Sequence, residues 1–184
     1  MWFDEIQQPW VAPSLNIPTL EIATIYPGTV LCEGTNISEG RGTTMPFLMV
    51  GAPWIETKEL EQKLEKEYQE QNLQGFKLRK CKFTPVYSKH EDKECEGIQF
   101  HIFNRESLVP FQIGLVLIKS IKELYPSEFD WRVGEGKNFF DLLTAADQFR
   151  NLLEKNVSTE ELIDLSKEGV QEFKDLREKY IIYE

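Results

Sequence analysis

Residues 26–54 read YPGTVLCEGTNISEGRGTTMPFLMVGAPW, and the way this stretch folds decides where the polar chemistry of the chain sits. A short apolar run, Val30-Leu31-Cys32, reads as a buried strand that stops at Glu33-Gly34. Residues 33–42 then hold three glycines (Gly34, Gly40, Gly42), two carboxylates (Glu33, Glu39), Arg41, and the hydroxyls and amide of Thr35, Ser38 and Asn36. A loop that only turns the chain does not need so many different polar groups. Glycine permits positive φ and close backbone approach. Carboxylates, a guanidinium and hydroxyls at the end of a buried strand are what a polar ligand site requires.

Upstream, residues 20–32 have strand character interrupted by Pro27-Gly28. Residues 1–19 carry Pro9, Pro13 and Pro18 without any period. They read as an irregular segment that docks on an apolar surface through Trp2, Phe3 and Trp10, since free tails rarely hold such residues. Downstream, the apolar run from Pro46 to Trp54 has prolines at both ends and reads as a short helix or a packed turn.

The rest of the chain alternates clearer signals. Leu60, Leu64, Tyr68 and Gln71 form one stripe of a helix over 57–72, with a charged opposite face. Residues 76–87 are β-rich and broken by Thr84-Pro85, which marks an edge strand or a bulge. Residues 97–103 alternate, with Ile98, Phe100 and Ile102 on one face and Gln99 and His101 on the other. A helix starting at Pro110 runs to 124 and buries Phe111, Leu115, Ile118, Ile121 and Leu124. One or two helices span 138–155. A capping box, Ser158 with Glu161, opens a last helix to about Lys179, with a kink at Gly169. Strands and helices mix without regular βαβ alternation. The expected fold is therefore α+β: a mixed or antiparallel sheet packed against several helices, in a single domain over 20–184.

Composition narrows the function. The chain has 184 residues and a net charge of −10, which argues against nucleic acid or an anionic membrane as partner. No apolar run approaches the roughly 18–20 residues of a membrane span, so no membrane insertion is expected. The N-terminus has neither a basic region nor an apolar signal segment. Cys81 and Cys95 bracket a polar loop and could pair in an oxidising compartment; three reduced thiols packed as small apolar residues is the simpler reading. The spacings of Cys81, His90, Cys95 and His101 match no common zinc framework, so no metal is expected, and no cofactor is implied.

The chain resembles the C-terminal region of a bacterial family of exo-acting β-N-acetylmuramidases, long catalogued as a domain of unknown function. The resemblance lies in Tyr26-Pro27-Gly28, Glu33-Gly34-Thr35-Asn36, Ser38, Gly40-Arg41-Gly42-Thr43, Pro46-Phe47 and Gly51-Ala52-Pro53-Trp54. It continues through Phe83-Thr84-Pro85, Ser88-Lys89-His90, Cys95, Gly97-Ile98-Gln99, His101, Tyr125-Pro126, Phe129 and the closing Phe173-Lys174 to Tyr180 segment. It implies an auxiliary domain that shapes a cleft for terminal N-acetylmuramic acid. An N-terminal Rossmann-like domain, in cis or in trans, would carry the family's catalytic glutamate. It also implies a periplasmic or secreted setting. The alternative is a non-catalytic module that binds muropeptides or other carbohydrates, or that serves interaction alone.

On that basis N-acetylmuramic acid, whose lactyl ether carries a carboxylate, needs local positive charge from an acidic protein. Arg41 is the best candidate, because its fork can take a carboxylate through two bonds and its flanking glycines can form a backbone nest. The other reading pairs Arg41 with Glu33 or Glu39 to hold the loop. Glycosidic hydrolysis generally uses two carboxyl groups. Glu33 and Glu39 are candidates for orienting sugar hydroxyls or a water, against readings as a turn-bonding residue and a solvent-exposed loop residue. Asn36, Ser38 and Thr43, with Thr44, can bond sugar hydroxyls or stabilise turns. Lys89 and His90 offer a cation and a near-neutral titrating group for ligand contact, or form a polar hairpin tip beside Glu91-Asp92. His101 reads as structural. Trp2, Trp10, Trp54 and Trp131 can stack on sugars, with packing as the default.

Overall fold

The computed structural model describes residues 1–182. A three-stranded antiparallel sheet is built from β1 (Met49–Ala52), β2 (Phe76–Phe83) and β3 (Cys95–Ile102) in the order β1-β3-β2. The helices α1 (Leu20–Thr29), α2 (Thr57–Glu70) and α3 (Pro110–Leu124) share its core. A small hairpin of β4 (Val133–Gly134) and β5 (Lys137–Asn138) leads into α4 (Phe139–Thr144), α5 (Gln148–Glu154), α6 (Thr159–Lys167) and α7 (Val170–Arg177). The α+β class and the helices over 57–72 and 110–124 agree with expectation.

Two expectations are corrected. Residues 20–32 form no strand. They are α1 followed by a 3-10 turn over Val30–Gly34. Thr19 caps α1 by accepting the Ile22 N–H at 3.3 Å, and Ile22, Ile25 and Thr29 are buried at helical spacing. Their β-branched side chains favour a strand on propensity alone, but packing against α3 overrides it. Gly28 and Gly114 sit where α1 and α3 cross. A Cβ on Gly114 would overlap the Gly28 carbonyl oxygen, so only glycine lets the two backbones meet.

The second correction concerns 46–54, which is neither helix nor packed turn around its centre but the strand β1. Its hydrogen-bonding partner lies far along the chain: Gly51 faces Gly97 in the β1–β3 ladder. Pro46 and Pro53 flank the strand, where a missing N–H costs no ladder bond.

The β-rich run 76–87 is an edge strand that ends before Thr84-Pro85, as the proline signalled. Lys77, Arg79, Lys80 and Lys82 charge that edge, which guards it against pairing with another chain. Gly169, at φ +69°, divides the last helical stretch into α6 and α7. Ser158 accepts the Glu161 N–H at 3.1 Å, the forward half of the expected capping box. Cys32, Cys81 and Cys95 are all free thiols. Cys81 faces Gly97 and Cys95 faces Phe83, so the two are offset by two residues along the ladder.

In residues 1–19, Phe3 packs edge-on against Trp10. The segment is clasped by charge: Arg105 donates to Asp4 at 2.8 Å and lies over the Trp2 ring. Among the described residues no helix is long and apolar enough to cross a membrane.

Candidate functional site

The 3-10 turn over Val30–Gly34 releases the polar loop into a narrow strip between two supports. On one side Ser38 bridges to Gly51 of β1, with N–H to O distances of 2.9 and 3.0 Å. On the other, Asn36 N–H donates to the Asp130 carbonyl at 2.9 Å and Arg132 N–H donates to the Gly34 carbonyl at 2.9 Å. The Asn36 side chain reinforces this second seam. Its Nδ2 donates to the Glu128 carbonyl at 2.7 Å and its Oδ1 accepts the Asp130 N–H at 3.1 Å. The loop between β2 and β3 then folds back over the strip and brings Ser88, Lys89 and His90 to it. The three segments enclose an open cavity of about 560 Å³ lined by Glu33, Thr35, Asn36, Glu39, Arg41, Ser88, Lys89, His90, Trp131 and Arg132.

An ion-pair chain organises its floor. Arg41 Nη2 donates to Glu33 Oε1 at 2.5 Å and Arg41 Nε pairs with Glu39 Oε1 at 3.1 Å. Lys89 Nζ lies 2.9 Å from Glu39 Oε2. It also donates to the Cys32 carbonyl at 2.7 Å and the Ile37 carbonyl at 2.8 Å, so all three ammonium protons are committed within the chain. Two cations and two carboxylates therefore balance. Burial pulls the Arg41 guanidinium down, but the Glu33 hydrogen bond and the Glu33 and Glu39 charges outweigh it and hold the group above its ordinary value.

These placements sort the expected residues. Glu39 is not a solvent-exposed loop residue: its side chain is 3% exposed, with one oxygen on Arg41 and the other on Lys89. Both oxygens are thus held by cations of the chain itself. Glu33, 15% exposed, lines the cavity, and among the described residues only its Oε1 is paired. Arg41 pairs with both Glu33 and Glu39 through its Nε–Nη2 edge, which ties the loop together, and the residue also lines the cavity at 28% exposure. Of the backbone N–H groups expected in a nest, that of Gly40 is taken by Ser38 Oγ at 3.2 Å. Gly40 and Gly42, at φ +76° and +80°, instead seat the loop against Met49 and Tyr87.

Ser38 and Thr43 are not brought to the cavity. Ser38 is buried in its bridge to β1. The Thr43 hydroxyl donates to the Gly40 carbonyl at 2.6 Å and accepts the Met45 N–H at 3.1 Å. His90 Nε2 meets the Asn36 carbonyl at 2.8 Å and must donate there, because a carbonyl only accepts. Burial pushes His90 below its ordinary value, and the nearby Lys93 and Lys89 charges add to this against the Asn36 bond. Trp131 donates its indole N–H to Glu154 and packs on Phe129 and Phe140. Arg132, which sequence reasoning missed, stands in a mixed polar and aromatic segment, Asp130-Trp131-Arg132-Val133, that carries no recognisable motif. Only its pairing with Gly34 reveals it. Among the described residues no cluster of three or more His, Cys, Asp or Glu is placed to hold a metal ion.

Comparison with known proteins gives consistent results. A curated relative, peptidoglycan beta-N-acetylmuramidase NamZ of Bacillus subtilis (strain 168), is 41% identical over 183 residues. That match covers 100% of this chain but only 42% of the relative. A crystal structure of a DUF1343 family protein from Bacteroides fragilis NCTC 9343 superposes with a TM-score of 0.87 at 25% identity, over 100% of this chain and 48% of the other. A second DUF1343 protein from the same organism gives 0.58 at 27% identity, over 97% and 46%. The chain thus spans less than half the length of each of these relatives. The family model described as "Exo-beta-N-acetylmuramidase NamZ, C-terminal" matches residues 24–183, and the chain belongs to that family.

Proposed function

We propose that the cavity holds the terminal N-acetylmuramic acid of peptidoglycan fragments, and that the chain acts as the C-terminal part of an exo-β-N-acetylmuramidase. One observation carries this reading. Glu33-to-Arg41 and Ser88-Lys89-His90, two motif segments far apart in sequence, wall one open cavity beside Trp131. Glu33 is the carboxylate placed to orient a sugar hydroxyl or a water; Glu39 serves the loop.

Hydrolysis needs a proton donor and a base or nucleophile at the scissile bond. Glu39 is buried and bridges Arg41 and Lys89, so in this reading the chain contributes Glu33 alone. In this proposal a separate N-terminal domain, Rossmann-like and joined in cis or in trans, contributes the missing group across the cavity. The setting would be where peptidoglycan lies, in the periplasm or outside the cell.

The test is turnover of a chromogenic N-acetylmuramic acid glycoside by the chain alone and mixed with the N-terminal portion of the Bacillus subtilis relative. Turnover only in the mixture is expected. Full turnover by the chain alone overturns the division of labour, and a mixture that neither turns over nor binds the sugar overturns the site. Saturable sugar binding without turnover in either case would identify a binding module instead.

A further inference from the structure

We propose that Arg132, rather than Arg41, is the residue that reads the lactyl carboxylate of N-acetylmuramic acid in this cavity. The inference presupposes the sugar site proposed above and assigns its charge selectivity. At the cavity floor Arg41 and Lys89 are matched by Glu33 and Glu39, so the four groups sum to zero. An anionic sugar gains little from cations that are already neutralised, and Lys89 has no proton free to offer it. Arg132 is different. Among the described residues no carboxylate pairs with it, and its side chain is exposed on the cavity wall.

The position of Arg132 is built rather than incidental. Its N–H donates to the Gly34 carbonyl and its carbonyl accepts the Phe139 N–H, both at 2.9 Å, so its backbone is locked to the polar loop and to the start of α4. Its guanidinium lies 4.7 Å from the Phe139 ring centroid, which holds the side chain in place without neutralising it. Phe139 in turn is fixed by the Asn138 cap of α4, where Asn138 Oδ1 accepts the Phe140 N–H at 3.0 Å. A pre-placed, uncompensated guanidinium beside a charge-balanced floor is a receptor for one carboxylate. N-acetylglucosamine, which lacks the lactyl group, would forgo that contact, so the same residue would discriminate between the two alternating sugars of peptidoglycan.

The test titrates three probes into the chain, followed by NMR at the His90 ring: N-acetylmuramic acid, its neutral lactyl methyl ester, and N-acetylglucosamine. For the native chain the acid is expected to bind more tightly than the ester. Arg132→Gln should weaken the acid by roughly 10- to 100-fold and leave the ester unchanged. Arg105→Gln, at a guanidinium paired with Asp4 at the N-terminal segment, serves as the control and should change neither. If Arg132→Gln weakens acid and ester alike, or if the native chain binds both equally, Arg132 does not read the carboxylate although the sugar site stands. If none of the three sugars perturbs His90 in the native chain, the sugar site falls and this role with it.

Discussion

Glu39 and Lys89 form an ion pair of 2.9 Å that joins the polar loop to the β2–β3 connection. The two residues are fifty positions apart in sequence. The Glu39 carboxylate is almost wholly shielded from water, so removing its partner leaves a buried charge dependent on Arg41 alone. Lys89→Met should therefore destabilise the fold by about 3 kcal/mol, because breaking a buried pair strands the other charge. Urea denaturation at pH 7 measures this. The double variant Glu39→Gln, Lys89→Met should recover part of the loss. Equal midpoints for Lys89→Met and the native chain would show that the pair does not hold the loop.

His90 makes stability depend on pH. Burial holds it below its ordinary value of 6.5, so as pH falls the unfolded chain takes up the proton before the folded one does. The contribution of neutral His90 is complete above 6.5 and is lost as pH drops through the window between 6.5 and the lower folded value. An NMR titration of the His90 ring should give a midpoint below 6.5. A midpoint above it would mean that the ring is charged against the Asn36 carbonyl in the folded state.

At the crossing of α1 and α3, two effects of Gly114→Ala compete. Alanine is the better helix former by about 1 kcal/mol. Against this, its Cβ would overlap the Gly28 carbonyl, and backbone cannot step aside as a flexible side chain does. A net loss of about 2 kcal/mol is expected. A raised melting temperature would show that the helices separate without penalty.

Asn36 fixes the seam that carries Trp131 and Arg132. Asn36→Ala removes one donor and one acceptor, at roughly 1 kcal/mol each. Asn36→Asp should not rescue it, because an aspartate oxygen would then face the Glu128 carbonyl that Nδ2 now serves. Both losses should appear in urea midpoints, and full rescue by aspartate would show that the Glu128 bond contributes nothing.

The thiols should be slow to react. Burial pushes Cys32 up to about 12, and Cys81 and Cys95 up to about 11. A disulfide-exchange reagent at pH 8 should leave Cys32 unlabelled in the native chain and label all three residues in urea. Fewer than three reactive thiols in urea without reductant would reveal a bridge after all.

Periodicity made α2 and α3 readable, because burial of one helix face imposes a repeat that needs no knowledge of the partner. In β3 the apolar alternation of Ile98, Phe100 and Ile102 was readable although Gln99 on the other face is itself buried, and Pro85, unable to donate to a ladder, marked the end of β2. Residues 20–32 misled because Ile22, Thr24 and Ile25 carry β propensity, and the decisive counterweight, Gly114, lies in another helix. Residues 46–54 misled because a short buried strand and a buried turn look alike until the opposing glycine at 97 is known.

From composition and motif alone came the family, the α+β class and the loop in which the site would lie, since residue chemistry and local spacing survive without coordinates. Tertiary structure alone decided how charge is shared. Arg41 is neutralised by Glu33 and Glu39, Lys89 is turned inward, and Arg132 lines the same cavity with no carboxylate paired to it among the described residues. The reason is physical: net interaction among charges depends on separation in space and on shielding from water, and neither quantity is written in the order of residues along the chain.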